Sequence, residues 1–541
     1  MAGGLMNLEE MIAFYGREQF PIPAERIRLF LADSDPNQQA LGHLLAACNP
    51  YADGRADRAR DYLQGVRRDT RTLAAPIIAM LIWLDRRAGD PQSAAYAGVE
   101  YAHDASEQGL DDLALEACSA AIFLDQAGRF EITRSPEKTM PLVEIYERAA
   151  RKMPVLPKRV CSGSGRRRVA LITGNLVDHA VAYSRRVLNI ARYADRERYD
   201  LRFYSTENLT RRERPLFPFG LENGGTAECA PVCLETLRSL QVPVWFAPRD
   251  KHAMQTADAI IRKLEEDGVD YAIFQTGMAS PIDWLVARCS PVPVKAGVHI
   301  GSSPFNTGFD LYFFDNPVNI EREKNCWTPA MGERVVLTSG VDLEGLRGSP
   351  SVARGELSIP ASAVVIGTVS NHLGERMSVS FCELLARVLK AHPTCWYLGI
   401  GTPPDEQRMQ FFREAGVLER MRFPGPVRTA SAVLKMLDIY ANEFPLGGSE
   451  SVKEAIACGI PVVAMKWSDA HAESAGAVIA GPEYGIQERD PTAYERLLHE
   501  WITHPKTRRD AGLSLASRAE EYYSIRTYVR ELFQHLEDRR L

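Results

Sequence analysis

The chain has 541 residues, too many for one hydrophobic core, so two to four domains are expected. A hydrophobic share of 45% and a charged share of 25% are ordinary for a globular protein, and a formal net charge of −6 argues against nucleic acid as the main partner. No apolar run reaches the roughly 20 residues that a membrane span needs, and Met1 to Glu10 carries acids where a signal peptide is apolar, which points to a cytoplasmic protein.

Residues 1–155 read as helix after helix. Pro76 to Leu84 and Leu113 to Leu124 have broad apolar faces without strand alternation, and Ala88-Gly-Asp-Pro and Gln126-Ala-Gly interrupt them. Small residues such as Ala94-Ala-Tyr-Ala suggest closely packed helix pairs. A degenerate tetratricopeptide-like array and a single irregular helical domain both fit, since no clean 34-residue period is present. Near residue 155 the texture changes: Pro154, Pro157 and Cys161-Ser-Gly-Ser-Gly form a linker that leads to Arg166-Arg-Arg, a solvated strand entry.

Beyond the linker, short apolar runs alternate with helical segments. The first series of candidate strands is Val169–Thr173, Tyr199–Tyr204, Val242–Phe246, Tyr271–Phe274 and Val294–Val298. The second is Val364–Thr368, Cys395–Ile400, Ile439–Ala441 and Pro461–Met465. Such strands indicate parallel sheets covered on both faces, hence an α/β chain with two facing, doubly wound Rossmann-like lobes. The domains expected are an all-helical unit at 1–155, a lobe at 156–330, a second lobe at 331–515 and C-terminal helices at 516–541. Ligands of doubly wound sheets bind beyond the carboxyl ends of the strands, so the chemistry should lie in the loops that follow them.

The most specific signal is the run from Asn442 to Val463. A strand ends, Gly447 and Gly448 permit close backbone approach, and Ser449, Glu450 and Ser451 stand where a helix begins. The amides and positive dipole end of that helix suit a diphosphate. Glu454, about a turn and a half further on, can accept both hydroxyls of a ribose, and Ala457-Cys-Gly-Ile-Pro closes the helix. The alternative is that Ser449 only caps the helix and Glu454 is a surface acid.

This run resembles the donor-binding segment of GT-B glycosyltransferases, and more narrowly that of family 41. That family holds the protein O-GlcNAc transferases and the bacterial cytoplasmic N-glycosyltransferases that modify adhesins. The resemblance implies that Gly448, Ser449, Glu450 and Ser451 take the phosphate positions and Glu454 the ribose position. Glu450 departs from the family's Thr or Asn and would repel a diphosphate unless turned away.

Three further blocks match in order, so the resemblance covers roughly residues 167–515. Val169 to Ser184 is similar to the family's first strand and the loop that holds its active-site His, which places His179 at the reacting centre with Asp178 beside it. Asp267 to Val294 and Pro293 to Asp315 match two more blocks and put Asp270, Asn306 and Thr307 on the acceptor side. The loop Ser370 to Ser378 brings Asn371 to the donor and sets Arg376 where the family has a Lys that bridges the diphosphate. Asp469 to Ser474 resembles the N-glycosyltransferases' segment beside the donor, giving His471, and Val427 or Arg428 falls where the base is held. His299 and His372 also read as structural histidines.

No Asp-x-Asp follows a lobe strand, and only Cys229 and Cys233 stand close together. Charge on a leaving diphosphate would then be met by Arg376, helix amides and hydroxyls, with no metal and no cofactor beyond a UDP-sugar co-substrate. The implied activity is inverting transfer of a hexose or N-acetylhexosamine from the UDP-sugar to Asn or Ser/Thr of a polypeptide acceptor. Two rivals are a GT-B transferase acting on a small molecule or glycan and a non-catalytic nucleotide-binding scaffold. All donor elements follow residue 155, so the lobes are expected to bind nucleotide without the helical domain.

Overall fold

Runs such as Tyr271-Ala-Ile-Phe have no polar face to show to water, so each must be covered on both sides. The structure is a computed structural model describing residues 21–32, 36–69, 80–81, 84, 91–127, 131–133, 135–154, 156–161, 165–174, 176, 182–206, 230–248, 251–300, 303–370, 373–427, 430–468 and 474–539. It meets that requirement with two parallel sheets flanked by helices.

The first sheet has seven strands: β1 (Arg167–Thr173), β2 (Tyr199–Ser205), β3 (Val244–Phe246), β4 (Tyr271–Thr276), β5 (Val294–His299), β6 (Leu311–Phe314) and β7 (Glu333–Val336), in the order β3-β2-β1-β4-β5-β6-β7. The second has β8 (Val364–Val369), β9 (Cys395–Ile400), β10 (Met421–Gly425), β11 (Ile439–Ala441), β12 (Val462–Met465) and β13 (Gly485–Ile486), in the order β10-β9-β8-β11-β12-β13. The order reverses between β1 and β4 in one sheet and between β8 and β11 in the other. Loops leaving those neighbours in opposite directions open a crevice at each carboxyl edge. β4, β5 and β6 are buried along their whole length, as their apolar character requires.

Helices α1 (Ala24–Leu31), α2 (Pro36–Ala52) and α3 (Ala56–Asp69) form a small core of their own around Ile27, Leu44, Leu45 and Leu63. Helices α4 (Pro91–Glu107), α5 (Asp111–Ala127) and α6 (Pro136–Ala150) behave differently. Gly98 of α4 lies so close to α5 that a Cβ on it would stand 3.0 Å from the Cβ of Ala121, the tight pairing expected from the small residues. Their apolar faces, including Leu115, Leu142, Ile145 and Tyr146, share one core with Ala272, Phe274 and Trp284 of the first lobe. The boundary drawn at 155 therefore divides a common core.

The first lobe carries α7 (Ala182–Tyr193), α8 (Pro231–Ser239), α9 (Ala253–Glu266) and α10 (Pro281–Cys289). The second carries α11 (Val379–Ala391), α12 (Glu406–Glu414), α13 (Glu450–Ala457), α14 (Pro491–Thr503) and α15 (Pro505–Tyr522). Two further boundaries are corrected. β7 pairs with β6, so the first lobe runs past 330. The break at 515 falls inside α15, whose Leu515 and Ala519 lie in the second lobe's core. The last helix, α16 (Ile525–Asp538), returns to the first lobe and buries Ile525, Tyr528, Leu532, Phe533 and Leu536 there. The two crossings run side by side: Val341 and Ser524 form a parallel bridge, and a Cβ on Gly340 would come within 2.5 Å of the Ile525 amide nitrogen.

Candidate functional site

The second lobe's crevice is built from the two loops at its reversal point. After β8 the chain passes Ser370 into the short helix Leu373–Arg376, and after β11 it runs through Asn442 and Glu443 to Gly447 and Gly448. A Cβ on Gly447 would lie 2.2 Å from Asn442 Oδ1, and one on Gly448 2.4 Å from Ser451 Oγ, so a side chain at either position would displace the polar group it meets. Asn442 Nδ2 donates to the Gly448 carbonyl at 3.1 Å and so ties the two ends of the turn together. Tyr440 Oη donates to Ser451 Oγ at 2.8 Å and fixes that hydroxyl at the start of α13. Ser449 is the N-cap residue by position, but its side chain makes no capping bond. Arg376, about a third exposed, holds Nη1 3.5 Å from Oε1 of the fully buried Glu443. Helix amides, two hydroxyls and a guanidinium thus converge on a surface open to close approach, the composition of an anion cradle.

The two acids of α13 face elsewhere. Glu450 Oε1 accepts from Ser339 Oγ at 2.9 Å and from Lys453 Nζ at 2.8 Å, in the segment joining the lobes. Burial alone would raise its pKa, but Lys453 and Arg186 outweigh this and lower it. The expected phosphate contact of Glu450 is corrected on this ground: its carboxylate is turned to the linker, which also removes the repulsion of a diphosphate. Glu454 is buried, and its Oε1 meets Arg185 Nη2 of α7 at 2.8 Å across the interlobe gap. Burial raises its pKa and Arg185 opposes the rise. Both residues line a cavity of about 270 Å³ between α7 and α13, with Asn189, Arg192 and Ser431. Val427, just past β10, is half-buried against the second lobe's core. Asn371 and His471, expected at the donor, lie outside the described residues, as do Asp178 and His179 on the acceptor side.

Three acceptor-side expectations are corrected, one by the direction of its strand and two by their hydrogen-bond partners. Asp270 precedes β4, at the amino edge of the sheet, and its Oδ2 accepts from the Arg168 amide at 3.0 Å. Asn306 donates from Nδ2 to the Trp284 carbonyl at 2.8 Å and accepts from the Gly308 amide at 2.7 Å, which ties its loop to α10. Thr307 Oγ1 donates to Glu147 of α6 at 3.3 Å. These residues secure the lobe and its helical neighbour rather than face the crevice.

Asp283 is a buried acid on the carboxyl side of the first lobe's sheet. It lies in the first turn of α10, behind the carboxyl ends of β2 and β4, 1% exposed. The hydroxyls of Thr206, Thr276 and Ser280 stand near it, but neither carboxylate oxygen has a well-formed hydrogen bond. Burial pushes its pKa up to about 7, and the hydroxyls offset only part of that. The loop before it is gripped from the helical domain: Tyr146 Oη donates to the Met278 carbonyl at 2.7 Å and Ser119 Oγ to the Ala279 carbonyl at 2.8 Å. Sequence reasoning passed over Asp283, Glu443 and Arg185. Glu443 could have been found by reading the residues directly after each strand, whereas Arg185 is visible only once the lobes face each other.

No protein-family model matches the chain, and no curated protein does. Solved structures do. A mutant O-GlcNAc transferase of Thermobaculum terrenum matches over 96% of this chain and 98% of its own, with a TM-score of 0.54 and 16% identity. A glycosyltransferase of Rickettsia africae matches over 70% and 99%, with a TM-score of 0.53 and 10% identity. Anabaena HepE, solved in complex with UDP and glucose, matches over 68% and 99%, with a TM-score of 0.51 and 14% identity. At these identities the likeness is one of fold: the two facing lobes are the GT-B arrangement of glycosyltransferases. Among the described residues, no helix is long and apolar enough to cross a membrane.

Proposed function

We propose that the chain is a glycosyltransferase that moves a hexose or N-acetylhexosamine from a UDP-sugar to a protein side chain, Asn or Ser/Thr, with inversion. The observation that carries this reading is the cradle of Gly447, Gly448, Ser451 and Arg376 at the amino end of α13. There, amides and a guanidinium can hold a diphosphate and stabilise the charge it gains on leaving. HepE, which shares the fold, holds UDP and glucose. The match to an O-GlcNAc transferase extends over the helical region, which supports a polypeptide acceptor, and the core shared by that region and the first lobe fixes its place. His179, in the loop after β1, is the residue assigned to orient or deprotonate the acceptor, with Asp178 beside it. Imidazole titrates in the range such a step uses. Asn371, His471 and Val427 are assigned to the donor.

Incubation with UDP-glucose and with UDP-N-acetylglucosamine, with and without peptides, tests the reading through UDP release. Peptide-dependent release supports protein transfer. Release to a glycan or small molecule alone would move the acceptor class, and binding without release would make the chain a scaffold.

Glu454 is assigned to the ribose. A carboxylate has about four acceptor sites, so the bond to Arg185 leaves room for hydroxyls. Glu454→Ala should weaken UDP binding by about 1.5–3 kcal/mol, the worth of hydrogen bonds to a charged group. Unchanged affinity by calorimetry removes Glu454 from the site. Turnover should also persist in EDTA, because Arg376 and the helix amides supply the counter-charge. A strict need for manganese or magnesium would overturn that part of the assignment.

A further inference from the structure

Glu443 stands in the donor cradle with no role in the assignments above. It follows β11 after a single residue, and its side chain is fully shielded from solvent. Oε1 is 3.5 Å from Arg376 Nη1 and would be 3.8 Å from a Cβ on Gly448. Oε2 is buried with no hydrogen-bond partner. An acceptor left unpaired in the interior is costly, and such groups are kept where a ligand completes them. Burial raises the pKa of this carboxyl, and Arg376 together with the Glu443 and Gly448 amides works against the rise.

A nucleotide-sugar offers few partners for that oxygen. The diphosphate brings only acceptors and negative charge, which Glu443 repels. The ribose is assigned to Glu454, a turn and a half along α13. Glu443 is at the other end, beside the amino terminus of the helix, and in a nucleotide-sugar the group that follows ribose and diphosphate is the sugar. Sugar hydroxyls are neutral and donate.

We propose that Glu443 is a donor-specificity residue whose unpaired Oε2 accepts a hydroxyl of the sugar being transferred. This rests on the nucleotide-sugar reading above. Arg376 then serves two groups, turning one edge to Glu443 and its remaining donors to the diphosphate, as a guanidinium's fork of donors allows. A donor without the recognised hydroxyl leaves the buried oxygen unpaired again and is rejected for that reason.

The test is calorimetry of wild type, Glu443→Gln and Glu443→Ala with UDP, UDP-glucose and UDP-N-acetylglucosamine, with circular dichroism to confirm folding. Glu443→Gln keeps the volume and sets an amide where the acceptor was. It should not weaken UDP binding, since a repelling charge is removed, and should weaken the better UDP-sugar by about 10- to 100-fold. One deoxy analogue of that sugar nucleotide should bind wild type about as weakly as the parent binds Glu443→Gln, a result that needs no variant to fold. Equal losses for UDP and UDP-sugar would make Glu443 a support of its loop and overturn the assignment, as would unchanged UDP-sugar affinity or deoxy analogues that all bind like the parent. Wild type that binds no UDP overturns the nucleotide reading and this assignment with it. Wild type that binds UDP while Glu443→Gln shows no sugar effect overturns this assignment alone.

Discussion

Removal of residues 1–155 should abolish soluble protein rather than leave two working lobes. Helices α4 to α6 share a core with β4 and α10, in which Tyr146 and Trp284 pack edge to face with ring centres 5.4 Å apart. Exposing even three large side chains of that core forfeits roughly 5–9 kcal/mol, at about 1.5–3 kcal/mol each. A domain's whole stability is about 5–15 kcal/mol. The cut would also strip two hydrogen bonds from the Met278–Ala279 loop. Soluble yield and sedimentation of the truncated chain decide the matter: a monodisperse fragment that binds UDP like the full chain would show that the helical domain is dispensable.

The second large effect concerns Asp283. An acid that ionises at about 7 when folded and near 3.8 when unfolded binds more protons in the native state between those values. Stability must then fall as pH rises from about 4 through 7, by on the order of 4 kcal/mol at most, and level off above. Asp283→Asn cannot ionise and keeps the shape, so its melting temperature should exceed that of wild type at pH 8 and approach it near pH 4. An equal difference at both pH values would show that Asp283 titrates normally.

Most inner strands were legible because burial on both faces demands unbroken apolar sequence, although the inner strand β6 was missed and the edge strand β3 was found. The other three edges were not legible. β7 reads Glu-Arg-Val-Val with only Val335 buried, β10 contains Arg422 and Pro424, and β13 is two residues long, so none carries the apolar run of an inner strand. The phosphate-binding turn could be read from Gly447 to Ser451 because close approach and helix amides leave a local mark. Facing relations leave none. Glu450 and Glu454 occupy the same side of α13 by spacing, yet one reaches Lys453 and the linker and the other Arg185, which depends on how the lobes meet. Asp270 was placed on the acceptor side by the resemblance of its block, and only the strand's direction shows that it adjoins the wrong end.

The return of α16 to the first lobe has a consequence for how the protein is made. The second lobe is an insertion in the first: β7 ends at Val336, and the helix that completes one face of its sheet starts at Ile525. On the ribosome, about 200 residues separate the two. At roughly 5–20 residues per second, some 10–40 s pass in which Leu201, Phe203, Ile273 and Phe313 lack the cover of Leu532 and Leu536. The second lobe can fold during that interval, while the first must wait, with an apolar sheet face open to chaperones or to other nascent chains. The helix that closes the first lobe is thus synthesised only after the second lobe.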